Sequence, residues 1–134
     1  MPGMREAVGG WIAAPADYAR FLLALDGQRG QPLLAPASFA RLVERPPAAE
    51  SRDKASWYGL GFFVATAGDR YTLSHSGGLP GTLTYAVRQA GGTLLVAFFN
   101  GRPRDAAGAT RDVARTLNAA AREVATWPAH DLFD

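Results

Sequence analysis

His75 lies in the run Leu73-Ser74-His75-Ser76-Gly77-Gly78-Leu79-Pro80-Gly81, where a titratable ring, a hydroxyl and several glycines fall side by side. It ends an apolar-alternating stretch and precedes a predicted glycine turn, so its ring can face a substrate. Taken alone, the position fits better a histidine that merely ends a strand before a Gly-rich turn. The other histidine, in His130-Asp131, belongs to a Pro-containing C-terminal tail that offers no scaffold to fix it, and reads as a solvated terminus. The two histidines lack metal-type spacing and cysteine is absent, so no metal site or cofactor is expected, and thiolate chemistry and disulfides are excluded. Gly77-Gly78 and Gly91-Gly92 read as hairpin turns; neither is followed by the Lys-Ser or Lys-Thr of a phosphate loop.

The elements that must position these residues follow from periodicity. A helix is predicted from Pro15, with Asp17 at its positive end, Gly27 closing it, and Tyr18, Phe21, Leu22 and Leu25 forming a buried stripe. A shorter helix follows Pro36, carries Phe39, Leu42 and Val43, and is stopped by Pro46-Pro47. Residues 48–56 are polar and aperiodic, hence an exposed loop. From Trp57 the period becomes two. One strand is predicted with Tyr58, Leu60, Phe62 and Val64 on one side, and Gly59 and Gly61 opposite mark a close approach. Further strands are expected over 70–74, 82–88 and 93–99, with turns at Gly68-Asp69 and Gly91-Gly92. A last helix, from about Pro103 to Ala125, presents Ala106, Ala109, Val113, Leu117, Ala120 and Val124 as a narrow stripe. The fold class is therefore α+β: an antiparallel sheet of about four strands, a C-terminal helix packed on it and an N-terminal helical segment.

Length and charge set the remaining bounds. A chain of 134 residues suits one domain, read as 1–134, that can bury a core without staples. Thirteen arginines and a single lysine are interspersed with twelve carboxylates, so the net charge of +2 describes a mixed surface and nucleic acid is not expected as a partner. The start, Met1-Pro2-Gly3-Met4-Arg5-Glu6, has no signal-peptide core, and no apolar run approaches the ~18 residues of a membrane span. As written the chain reads as soluble, with no membrane partner, and cytoplasmic; the compartment of any parent protein is left open.

The ordered set Gly9-Gly10-Trp11-Ile12-Ala13, Asp17-Tyr18-Ala19-Arg20-Phe21-Leu22, Leu34-Ala35-Pro36-Ala37-Ser38, Tyr58-Gly59-Leu60-Gly61-Phe62 and His75-Ser76-Gly77-Gly78-Leu79-Pro80-Gly81 resembles the C-terminal part of serine β-lactamase-like proteins. That superfamily includes class C β-lactamases, D-alanyl-D-alanine carboxypeptidases and related esterases. The resemblance implies a site built from three motifs: Ser-x-x-Lys, Tyr-x-Asn or Ser-x-Asn, and Lys-Thr-Gly or His-x-Gly. The third is visible here. The resemblance gives His75 the place of the cationic or donor residue, Ser76 that of the hydroxyl, Gly77 that of the glycine, and Gly78 one backbone N–H of an oxyanion hole.

The first motif has a literal match, Ser51-Arg52-Asp53-Lys54. Ser51 and Lys54 are thus the candidates for nucleophile and base, but an exposed polar loop offers no burial to lower the lysine pKa and activate the serine. The second motif is missing: Phe98 and Thr116 stand two positions before Asn100 and Asn118. The expectation is a partial domain of an amide or ester hydrolase of the penicillin or D-alanyl-peptide type, inactive by itself. The alternative is a non-catalytic binding or oligomerisation module on the same fold. Partners implied are a second copy or the N-terminal half of a parent hydrolase, with a small-molecule or peptide substrate once completed.

Overall fold

A computed structural model describes residues 9–28, 30–47 and 54–129. In chain order these form α1 (Pro15–Ala24), α2 (Pro36–Val43), β1 (Ser56–Tyr58), β2 (Phe63–Ala67), β3 (Arg70–Leu79), β4 (Thr82–Arg88), β5 (Leu94–Phe99) and α3 (Ala106–Glu123). The sheet is a fully antiparallel meander in the order β1-β2-β3-β4-β5. The α+β architecture with helices before and after the sheet is as the periodicity indicates.

Both N-terminal helices begin with a proline in the first turn, where its missing N–H costs nothing. They cover one sheet face. Leu22, Leu25, Val43, Trp57, Phe62, Val64, Leu73 and Ala86 form the core there. Arg88 is 1% exposed on the same face, and its guanidinium donates to both carboxylate oxygens of Asp26 at 2.6 and 2.9 Å and to the Leu22 carbonyl at 3.1 Å. This bidentate pair pins the end of α1 to β4. Phe21, predicted inside, is 44% exposed, because α1 turns Ala19, Leu22 and Leu25 to the sheet instead.

The opposite face carries α3. Asp105 caps it by accepting from the Gly108 N–H at 2.8 Å. Leu83 and Val87 of β4 are buried beneath it, and Gln89 bonds Asn118. The helix is shorter than predicted at both ends and has no fully buried residue; Ala120 and Val124, placed in the stripe by spacing, are exposed. It lies along the sheet surface rather than within a core.

Two strand expectations need correction. The single strand predicted from Trp57 to Val64 is a hairpin, which brings the expected sheet of about four strands to five. Gly61 adopts φ +86°, and the Gly59 N–H donates to the Phe62 carbonyl at 2.8 Å, so the chain reverses between Tyr58 and Phe63. Gly77-Gly78 is no turn either: both residues pair within β3, opposite Thr84 and Leu83. The reversal comes at Pro80-Gly81, where proline fixes one φ and Gly81 takes φ +85°. His75 consequently lies mid-strand, opposite Ala86.

Candidate functional site: the open edge of strand β3

The β1–β2 hairpin is held by the end of α2. The Trp57 indole N–H donates to the Val43 carbonyl at 3.0 Å, and the Leu60 N–H to the Leu42 carbonyl at 2.9 Å. Two carbonyls that the helix leaves unpaired are thereby satisfied. Gly59 lies so close to the Leu42 carbonyl oxygen that a Cβ would overlap it. Anchored on either side, Tyr58 projects to the sheet edge.

This hairpin also fixes where β2 begins. Pairing of β2 with β3 reaches only as far as Phe63 opposite Ser74, while β3 runs on to Leu79. His75, Ser76, Gly77, Gly78 and Leu79 therefore pair with β4 on one side and with no described strand on the other. An open strand edge presents peptide N–H and C=O groups to any extended segment laid beside it.

The sequence-predicted residues divide across this edge. The Tyr58 hydroxyl meets His75 Nε2 at 3.0 Å, and Phe63 packs against both rings, with centroids 4.9 Å from Tyr58 and 6.5 Å from His75. Strand alternation puts Ser76 on the α3 side. A Cβ at Gly77 would stand 2.8 Å from Thr84 Oγ1, so β4 crowds that position. A Cβ at Gly78 would meet Arg102 Nε at 3.1 Å. Ser51 lies outside the described residues, as does His130. Lys54 is exposed; its carbonyl accepts from the Arg45 guanidinium at 2.9 Å.

Two hollows flank the edge. The larger, about 670 Å³, is walled by the Gly9–Ala13 segment, Tyr18, His75, Leu79 and Phe98, within the size range of small-ligand sites. Burial raises the Tyr18 hydroxyl pKa, so that side chain keeps its proton at neutral pH. The smaller, about 200 Å³, lies on the α3 side between Ser76, Gly78, Leu83, Arg102 and Thr110. Burial also raises the pKa of Tyr85 in β4, and a hydrogen bond from Asn118 of α3 partly opposes the shift. Among the described residues no cluster of three or more metal-ligating side chains occurs, and no helix is long and apolar enough to cross a membrane.

Sequence reasoning missed Tyr58 and Arg102. Tyr58 enters the sequence reading only as a strand residue and as part of the resembling run, and Arg102 only as one of the arginines of a mixed surface. The resembling run Tyr58-Gly59-Leu60-Gly61-Phe62 was the signal for the first; nothing local signalled the second.

An antiparallel sheet with helices on both faces and a glycine-bearing open edge defines a class of α+β scaffold. A family model described as Beta-lactamase matches residues 1–120, and the chain belongs to that family. No curated protein and no solved structure matches it.

Proposed function

We propose that this chain supplies the substrate-holding wall of a β-lactamase-related serine hydrolase, acting on amides or esters of the penicillin or D-alanyl-peptide type, and corresponds to that enzyme's C-terminal portion. The observation that carries this reading is the open β3 edge from His75 to Leu79. An extended acyl-amino-acid segment can add to it as a strand, with His75 directing a donor at a substrate carboxylate, Ser76 presenting its hydroxyl on the α3 side of the edge, and the Gly78 N–H polarising the scissile carbonyl. Glycine at 77 and 78 keeps side chains out of the way of a ligand backbone. On this reading Ser51 and Lys54 are not the nucleophile and base, because Lys54 is an exposed residue and does not belong to a buried helix start. By itself the chain forms no acyl-enzyme.

Incubation with a fluorescent penicillin followed by denaturing mass spectrometry tests this. The unmodified mass is expected. A covalent adduct would overturn the proposed inactivity, and its loss in Ser51→Ala would assign the nucleophile to the tetrad.

The second reading, a binding or oligomerisation module, is favoured by the exposure of Trp11, Ile12, Leu60 and Phe63. On either reading we propose a partner surface for a second copy or for the N-terminal half of a hydrolase. A monodisperse monomer in light scattering that binds no apolar dye would contradict it.

A further inference from the structure

We infer that Tyr58 is a positioning residue for His75, fixing the imidazole in the tautomer that carries its proton on Nδ1. The inference deepens the proposed function, and its substrate consequence rests on that reading. The 3.0 Å contact between the Tyr58 hydroxyl and His75 Nε2 admits two arrangements: the phenol donates to a bare nitrogen, or a protonated Nε2 donates to the phenol oxygen. The phenol O–H is the more acidic of the two donors. A bare imidazole nitrogen is a better acceptor than a phenol oxygen, whose lone pair is drawn into the ring. The first arrangement is therefore the stronger, and a neutral His75 must then place its proton on Nδ1. Among the described residues Nδ1 has no hydrogen-bond partner.

The surroundings hold the phenol in place. Trp57 and Leu60, on either side of Tyr58, are tied to the Val43 and Leu42 carbonyls, and Phe63 meets the Tyr58 ring edge-to-face at an interplanar angle of 74°. The same Phe63 ring lies roughly parallel to the imidazole, at 29°. Tyr58 thus leaves His75 a donor nitrogen free for a ligand. His75 is set to hold an acceptor oxygen, such as a carboxylate, rather than to withdraw a proton.

The chain's two histidines make the test tractable. Long-range ¹⁵N–¹H imidazole correlations would be recorded on the full chain at about pH 8.5, some two units above the ordinary histidine pKa, and assigned with His130→Gln. The wild type should show the Nδ1–H form of His75. Tyr58→Phe keeps the ring contacts and should move the population toward Nε2–H, by up to about tenfold for the loss of one hydrogen bond. An Nε2–H wild-type ring, which needs no variant to observe, or an unchanged tautomer in folded Tyr58→Phe, would overturn the inference. Addition of N-acetyl-D-alanyl-D-alanine should then shift the His75 Nδ1 signal. The expected tautomer with no such response would uphold the role of Tyr58 and overturn His75 as a carboxylate holder, separating the two claims.

Discussion

Gly59→Ala probes the joint on which the site depends. The new Cβ would overlap the Leu42 carbonyl oxygen and press on Val64 Cγ2 at 3.2 Å. A backbone oxygen cannot rotate away as a side chain does, so the hairpin and the end of α2 must separate by roughly 1 Å to restore normal contact. That displacement breaks or weakens the bonds from the Leu60 N–H and the Trp57 indole to α2, each with a net worth of about 1 kcal/mol, and the residual overpacking adds about 1 kcal/mol more. The expected loss is about 3 kcal/mol, a substantial part of the ~5–15 kcal/mol typical of a domain. Urea denaturation followed by tryptophan fluorescence is a suitable assay, since Trp57 is 7% exposed and reports directly on the joint. Gly91→Ala is the matched control: a Cβ there meets nothing within 4 Å. If the two variants differ by less than about 0.5 kcal/mol, the close-approach argument fails.

Three further outcomes follow from the packing. Asp26→Asn leaves Arg88 buried without its counter-charge and should cost about 3 kcal/mol in the same assay; a neutral result would mean the pair is not formed. Gly77→Ala should cost about 1–2 kcal/mol through Thr84, whose branched side chain is stiff, and should cost clearly less in a Thr84→Ala background, as a double-mutant cycle will read. Burial raises the Tyr18 pKa above its unfolded value of about 10, so the folded state retains a proton that the unfolded chain releases. Stability from this group is complete below about pH 10 and declines as the pH rises beyond it. Denaturation midpoints measured on either side of that pH should fall less steeply in Tyr18→Phe.

Much of the scaffold was legible because it is written in local patterns. Pro15 and Pro36 open helices, and Pro46-Pro47 stand beyond the end of α2 as required. β4 and β5 lie close to where alternation puts them. The failures share a cause. Trp57 to Val64 sets Tyr58, Leu60, Phe62 and Val64 at every second position, yet Gly59 and Gly61 reverse the chain midway, because the interactions that favour a hairpin come from α2, some 15 residues upstream. Gly77-Gly78 has the composition of a turn, but pairing with β4 keeps it extended and passes the reversal to Pro80-Gly81. Of the candidate site, the sequence singled out His75 through its neighbours. Its contact with Tyr58 was not legible, since that distance depends on where β2 begins rather than on the residues adjoining either partner.

The central claim is that the β3 edge from His75 to Leu79 is a substrate-binding surface. Amide chemical-shift mapping of the full chain, titrated with benzylpenicillin and with N-acetyl-D-alanyl-D-alanine, tests it directly. Perturbations should concentrate at His75, Ser76, Gly77, Gly78 and Leu79, with Tyr58 and Arg102 responding beside them and no change in mass. Perturbations centred elsewhere, or none at millimolar ligand, would contradict it.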